Sequence, residues 1–134
     1  MRRRDRLSRP DDVCIRISRV FGMKESARFF KALADPTRLR IVNLLLRTPL
    51  CVCEMEAILK LPQPLISRHM AYLRNCGWVE GERDAMRVVY RLRKEAGGVG
   101  QIGKALVKLL AAEPQGAEDL ARLETVAVIK SGKE

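Results

Sequence analysis

The sequence has few aromatic side chains, a single histidine and no long apolar run. Phe, Trp and Tyr make up 4% of its 134 residues, so it offers few rings on which the bases of single-stranded RNA could stack. A lone histidine, His69, is more often a structural group or a phosphate contact than a metal ligand. Every apolar stretch is far shorter than the roughly eighteen residues that a membrane span needs. We therefore expect a cytoplasmic protein with no membrane partner.

Positive charge dominates the composition. Lys and Arg number 26 against 16 Asp and Glu, which gives a formal net charge of +10. A domain this basic needs an acidic partner, and nucleic acid is the first candidate, ahead of an anionic membrane surface. The length fits one domain, and its core must come from Leu, Val, Ile and Ala because aromatic residues are scarce.

The N-terminal end divides into two parts. Residues 1–11 form a charged arm with five arginines, which we expect to be disordered in the free protein and able to lie along phosphates on DNA. Residues 12–21 fit the apolar spacing of a strand or of a helix, and the pattern does not decide between them.

Helical spacing becomes clear from Lys24. Four apolar side chains are predicted to share one face of this helix: Ala27, Phe30, Leu33 and Ala34. Asp35 and Pro36 suit the N-cap and the first position of a second helix, which is predicted to end at Thr48-Pro49. Three arginines of this second helix are predicted to face solvent: Arg38, Arg40 and Arg47.

A helix-turn-helix pattern follows. It consists of a short helix over 53–60, a tight turn through Lys60-Leu61-Pro62 and a longer helix over 63–75. Apolar residues recur in the longer helix at spacings of four and three: Ile66, Met70 and Leu73. Gly77 suits the left-handed position that closes a helix.

The rest of the chain predicts a hairpin and two more helices. Alternation of apolar and polar residues predicts strands over 78–83 and 87–92. The glycine-rich stretch 96–103 is predicted to be a hinge. Apolar spacing then predicts helices over 101–112 and 117–129.

The order helix, helix, short helix, turn, helix, hairpin and helix is that of a winged helix-turn-helix. The expected fold class is therefore mainly α with a small β-hairpin. We divide the chain into a basic flexible arm over 1–11, a winged helix-turn-helix DNA-binding domain over 12–95 and C-terminal helices over 96–134. We expect the C-terminal helices to form a homodimer.

Four segments, in this same order, resemble the arsenical-repressor (ArsR/SmtB) family. They are similar to its opening signature, its metal box, its recognition helix and its second wing strand, at residues 32–41, 50–55, 62–77 and 87–92 respectively. The resemblance covers about residues 24–93 and implies a dimeric repressor that leaves its operator on binding a metal or metalloid. Lys60 and Ala85 depart from the pattern, since the family usually has Gly in the turn and at the wing tip.

The helix over 63–75 is the predicted reader of the major groove. Arg favours guanine there and Gln favours adenine, so Arg68 and Gln63 are the predicted base readers. An alternative stays open, in which Arg68 touches only phosphate. Ser67 and Tyr72 are predicted to contact phosphate.

Three more residues complete the predicted DNA interface. His69 is a structural group or a further phosphate contact. Arg83 and Arg87 flank the wing and are predicted to contact the neighbouring minor groove or its backbone. A two-fold dimer would then bind half-sites about one helical turn apart.

Cys51 and Cys53 carry the strongest chemical signal. Cys53 is predicted at the N-cap of the short helix and Cys51 just outside it, so that the two sulfurs converge. A helix N-terminus favours thiolate, and thiolates select soft ions. In a reducing compartment cysteines remain thiols rather than disulfides.

The family resemblance implies an inducer for this thiol pair: As(III) or Sb(III), or else cadmium, lead or zinc. The arsenic-sensing pattern has a third cysteine where this sequence has Glu56. Some family members complete the site with cysteines of the N-terminal arm, which makes Cys14 the candidate third metal ligand. Cys76 is predicted to be a packing residue, and no resident cofactor is expected.

Other functions compete with this one. The same thiols could sense oxidation, or the repressor could respond to no metal. A thiol oxidoreductase would need Cys-x-x-Cys rather than Cys-x-Cys. The stretch Gly98–Gly103 matches a dinucleotide-binding G-x-G-x-x-G, but the parallel βαβ unit that such a site needs does not follow it. We therefore predict a regulator and not an enzyme.

Overall fold

The computed structural model describes residues 22–93 and 98–132. The predicted arm and the ambiguous segment after it therefore lie outside the described residues. In this part of the chain six helices and three strands follow one another in the order α1 (Met23–Lys31), α2 (Pro36–Leu45), β1 (Leu50–Cys51), α3 (Val52–Leu59), α4 (Gln63–Asn75), β2 (Val79–Asp84), β3 (Arg87–Leu92), α5 (Gly98–Ala111) and α6 (Pro114–Gly132). The predicted fold class, mainly α with a small hairpin, is confirmed.

The boundary between α1 and α2 forms as predicted. Asp35 is the N-cap of α2, and its Oδ2 accepts a hydrogen bond from the backbone N–H of Arg38 at 3.0 Å. Pro36 occupies the first helical position, where its missing N–H costs no helical bond.

The predicted face of α1 is wrong. The helix buries Phe29, while Ala27 and Phe30 are exposed. The Phe29 ring stacks on Trp78 with ring centroids 4.2 Å apart, and the Trp78 indole N–H donates to the Phe29 carbonyl at 2.7 Å. This long-range contact, and not the spacing within α1, sets which side of the helix faces the core.

The helix-turn-helix has the predicted form. Helix α3 ends at Leu59, and Lys60 takes a left-handed conformation with φ of 59°. A non-glycine residue in this conformation costs about 1–2 kcal/mol. The turn nevertheless has the left-handed residue that is usual at this position, although Lys stands where the family usually has Gly. The bounds of α4 coincide with the predicted 63–75, and its predicted inner residues are buried: Ile66, Met70 and Leu73.

The wing hairpin pairs with a third strand that the sequence pattern does not predict. The sheet order is β1-β3-β2, with all pairs antiparallel. In β1, Leu50 pairs with Tyr90 and Cys51 with Val89. The cysteine segment is therefore hydrogen-bonded directly to the wing.

The C-terminal helices differ from the prediction. The stretch 96–103 is not all hinge, because α5 begins at Gly98, and α6 already begins at Pro114. Proline suits the first turn of a helix. Gly116 is required inside α6, since a Cβ there would lie 1.9 Å from the Leu110 carbonyl oxygen. Helix α6 packs on α2, α3 and α5.

The described elements share one hydrophobic core, which draws side chains from all six helices and from the sheet. A few large apolar side chains remain exposed: Met23, Phe30, Met86 and Leu109. Among residues 22–93 and 98–132, no helix combines the length and the apolar character needed to cross a membrane.

Candidate nucleic-acid interface and thiol site

Helix α4 has one free polar flank. Gln63, Ser67 and Arg68 are all exposed, whereas Ile66 and Met70 of the same helix are buried. No residue of the described part of the chain makes a side-chain hydrogen bond or an ion pair with Arg68. The structure therefore leaves these three predicted DNA contacts available to a partner in the N-terminal half of the helix.

Two other residues that were predicted to contact DNA, His69 and Tyr72, are in contact with Arg38 of α2. Arg38 Nη1 lies 3.3 Å from His69 Nδ1, and its guanidinium carbon lies 4.0 Å from the centre of the Tyr72 ring. Arg38 Nε also donates to the Ala32 carbonyl at 2.6 Å. The prediction that Arg38 faces solvent is wrong: it joins α2 to the recognition helix. No spacing in the sequence pairs these residues, because the contact depends on how the two helices cross.

His69 is held in its neutral form. Burial is the main cause that lowers the pKa of His69 from its ordinary value of 6.5, and the charges of Arg38 and Arg68 lower it further. The carboxylate of Asp35, 4.0 Å from Nδ1, acts in the opposite direction. A neutral imidazole packed against Arg38 fits the structural role of His69 better than a charged phosphate contact.

The protonation of His69 makes stability depend on pH. Because the folded state lowers its pKa, the unfolded chain binds a proton more readily, and the free energy of unfolding falls as the pH drops through 6.5. We expect wild type to lose more free energy of unfolding between pH 7.5 and pH 5 than His69→Gln, measured by urea unfolding. Since His69 is the one histidine of the chain, an equal loss in both proteins would contradict this assignment.

The two predicted wing contacts differ in their surroundings. Arg83 and Arg87 both lie on exposed positions near the hairpin tip, where Ala85 takes φ of 59°. Arg83 makes no ion pair within the described residues, whereas Arg87 Nη2 lies 3.9 Å from Asp84 Oδ2. Arg87 Nη1 also donates to Cys51 Sγ at 3.8 Å. Arg87 therefore connects the wing to the thiols.

The two thiols converge, but the helix begins two residues earlier than predicted. Cys51, not Cys53, is the N-cap of α3, because the pairing of β1 with β3 extends through Cys51. The two Sγ atoms lie 3.0 Å apart. Glu54 Oε1 accepts a hydrogen bond from the Cys51 N–H at 2.9 Å, which closes a capping box.

One thiol of the pair is buried and the other is accessible. Cys51 is buried and Cys53 exposed. The hydrogen bond to Cys51 raises the pKa of Cys53, burial adds to the rise, and the Arg87 cation opposes it. The direction of this shift opposes the expectation that the helix N-terminus favours a thiolate at Cys53. A soft ion could reach the pair from the exposed Cys53.

A third protein ligand for this pair is not found among the described residues. No group of three or more His, Cys, Asp and Glu side chains placed to hold a metal occurs in residues 22–93 and 98–132. Cys14 lies outside the described residues, and Cys76 stands at the C-cap of α4. The sulfurs of Cys51 and Cys53 therefore suit two of the ligand positions of a thiophilic ion.

Comparison with known proteins agrees with this geometry. The family profile described as "Bacterial regulatory protein, arsR family" matches residues 35–80. The solved structure of HlyU from Vibrio cholerae has a TM-score of 0.55 and 33% identity, over 66% of this chain and 90% of that chain. The chain belongs to the ArsR family. The family resemblance seen in the sequence is thereby confirmed.

The chain is also similar to two further relatives. The arsenic resistance transcriptional regulator ArsR1 of Pseudomonas putida is 49% identical over 67 residues, which are 49% of this chain and 52% of that protein. The homodimeric winged helix-turn-helix DNA-binding domain of Mb0332 from Mycobacterium bovis, a possible ArsR-family transcriptional regulator, has a TM-score of 0.56 and 26% identity, over 65% of this chain and 76% of that chain. The chain spans about half the length of the curated relatives it matches first.

Proposed function

We propose that this ArsR-family chain is a dimeric, sequence-specific DNA-binding repressor that acts on the chromosome in the cytoplasm. The observation that carries the proposal is the polar flank of α4, which is exposed at Gln63, Ser67 and Arg68 while three other side chains of the helix anchor it in the core: Ile66, Met70 and Leu73. A helix held this way by a preceding helix and turn is the element that enters a major groove. The net charge of +10 supplies the electrostatic attraction to phosphate.

Base reading falls to the N-terminal half of α4. Arg68 would donate two hydrogen bonds to a guanine edge and Gln63 would pair with adenine. Ser67 and Tyr72 would contact phosphate and so fix the helix in position without reading sequence. Arg83, which has no ion-pair partner in the described residues, would approach the minor groove beside Arg87.

The dimer is proposed to form through the C-terminal helices, within the domain limits 12–95 and 96–134 inferred from the sequence. Leu109 of α5 is 60% exposed, and burial of such side chains drives association. The Mycobacterium bovis relative is described as homodimeric, which supports the same arrangement. Two-fold symmetry then places the two α4 helices on half-sites one helical turn apart.

The inducer is proposed to be As(III) or Sb(III), bound by Cys51 and Cys53. Each thiol that attacks arsenous acid forms one As–S bond and releases one water, so two thiols leave one hydroxyl on arsenic for a third ligand. Cys14 is proposed as that ligand. The Sγ separation of 3.0 Å supports joint binding, and the name of the Pseudomonas putida relative refers to arsenic resistance.

Release follows from where the thiols lie. Cys51 is the N-cap of α3 and also pairs with Val89 of the wing, so a ligand that pulls the two sulfurs into its own geometry would shift the wing directly and α4 through α3. A coupling free energy of about 1–3 kcal/mol is ordinary for such a shift. The ligand-free dimer would occupy the operator, and the loaded dimer would leave it.

Thiol oxidation is the second candidate signal. Two thiols 3.0 Å apart could give up two electrons and two protons to hydrogen peroxide, forming a disulfide and two waters. The accessible Cys53 would attack the peroxide oxygen first and form a sulfenic acid with loss of one water, and Cys51 would then displace the second water. This candidate uses the same residues, so it differs from the first only in the agent that causes release.

A titration of operator DNA tests the proposal. We expect the chain to bind a duplex from upstream of its own gene more tightly than an unrelated duplex of equal length, measured by fluorescence anisotropy. If the dimer contacts about eight phosphates, log affinity should fall with log salt at a slope near −7. Arsenite, antimonite, cadmium and peroxide are then added in turn to identify the agent that releases the DNA. Equal affinity for both duplexes would contradict the proposal.

A further inference from the structure

Polar contacts hold both ends of α3. Those at its C-terminal end lie at the opposite end of the helix from the two thiols. The last two carbonyls of the helix, those of Ile58 and Leu59, would lack partners within it. Arg122 Nη1 of α6 donates to the Ile58 carbonyl at 3.1 Å, and Arg40 Nη2 of α2 donates to the Leu59 carbonyl at 3.1 Å. Two cations from different helices therefore cap the end of α3 that precedes the turn.

A buried carboxylate holds these two arginines together. Asp119 of α6 is 0% exposed, and its two oxygens accept from Arg40 Nε at 2.8 Å and Nη2 at 3.0 Å. Arg122 Nη1 lies 3.6 Å from Asp119 Oδ1, and Gln115 donates to the same oxygen at 3.1 Å. We call Arg40, Asp119 and Arg122 the α3 clamp. The sequence interpretation, which placed Arg40 in solvent, was wrong because Asp119 is 79 residues away.

The clamp lies next to the turn that orients the recognition helix. Only three residues separate Leu59 from Gln63, the first residue of α4. One of them, Lys60, holds a left-handed conformation, and its N–H donates to the Glu56 carbonyl at 2.9 Å. Because this link is so short, a movement of the end of α3 also moves the start of α4.

We infer that the α3 clamp positions the recognition helix, so that the C-terminal helix α6 sets operator affinity without touching DNA. This inference rests on the proposed DNA binding. Charge-assisted hydrogen bonds to a pre-organised guanidinium fork fix direction as well as distance. The clamp thereby keeps the flank of Gln63 and Arg68 at the angle that the groove requires, and Arg122 is a positioning residue.

Arg122→Met is the test variant, because Arg122 is 30% exposed and its loss leaves the Arg40–Asp119 pair intact. Lys108→Met, at an exposed position of α5, is the control that removes the same charge. Asp119→Asn would leave two facing guanidinium groups without their counter-charge and is less suited, because we expect it to destabilise the fold. Operator affinity, affinity for an unrelated duplex, thermal midpoint and amide exchange are measured for each full-length protein.

We expect Arg122→Met to weaken operator binding five- to tenfold relative to Lys108→Met, with affinity for the unrelated duplex equal within twofold. Exchange of the Lys60 and Ile66 amides should quicken, while amides in α1 stay unchanged. A purely structural role of Arg122 would lower the thermal midpoint without changing the ratio of the two affinities. That result would overturn this inference and leave the proposed DNA binding unaffected. If wild type itself shows no preference for the operator, the proposed function fails and the inference fails with it.

Discussion

Arg68→Ala is expected to remove most of the preference of this chain for its operator. A good bidentate contact to a base contributes about 1–3 kcal/mol of discrimination, and a symmetric dimer makes the contact twice, so the loss is about 2–6 kcal/mol. Arg68 is exposed in the N-terminal half of α4, and its replacement removes no side-chain hydrogen bond or ion pair within the described residues. The affinity for unrelated DNA should fall only slightly, through the loss of one charge in each protomer.

Arg74→Ala is the matched control for this change. Arg74 lies on the same helix, is also exposed and carries the same charge, but it stands in the last turn. We expect its replacement to weaken operator and unrelated DNA to a similar, small extent, as measured by anisotropy titrations at one salt concentration. Equal loss of preference in the two variants would mean that charge, and not base reading at residue 68, accounts for binding.

The second large effect concerns the inducer. In wild type, arsenite should weaken operator binding by about 5- to 150-fold, which corresponds to a coupling of 1–3 kcal/mol. Cys51→Ser and Cys53→Ser should each reduce this to less than about twofold, because a hydroxyl does not replace a thiolate toward a soft ion. Operator affinity without arsenite should stay close to that of wild type, since serine also suits the N-cap of a helix.

Two further cysteine variants complete this experiment. Cys76→Ser should respond to arsenite as wild type does, because Cys76 lies at the opposite end of α4. Cys14→Ser tests the third ligand: a partial loss of response supports its participation. Release that is unchanged in Cys51→Ser and Cys53→Ser would reject the thiol pair as the sensor. Release by peroxide and not by arsenite would assign the same pair to oxidation.

The recognition helix was the most predictable element of the chain. Its bounds and inner residues follow from a strict three-and-four spacing between a proline-containing turn and Gly77, whose φ is 89°. The N-cap at Asp35 and the second wing strand were equally evident, since each depends on residues close in sequence. Local patterns of this kind decide where an element begins, ends and faces the core.

The errors share a cause in contacts distant along the chain. Helix α1 turns Phe29 inward because of Trp78, 49 residues away. Cys51 becomes the N-cap because its strand pairs with the wing. Glycines at 100 and 103 lie within a helix, where packing on the rest of the fold offsets their poor helical propensity. The predicted convergence of the two sulfurs depends on a helix start beside the pair, and it occurs although the N-cap is Cys51 and not Cys53.

Methylation interference on the operator tests the central claim most directly. Dimethyl sulfate methylates guanine N7 in the major groove and adenine N3 in the minor groove. If the flank of Gln63 and Arg68 enters the major groove, methylation of a specific guanine in each half-site should block binding by wild type. Methylation of that guanine should not affect binding by Arg68→Ala, whereas interference at all other positions should be the same in both proteins. Interference confined to adenine N3, or a guanine block that persists in Arg68→Ala, would contradict the account.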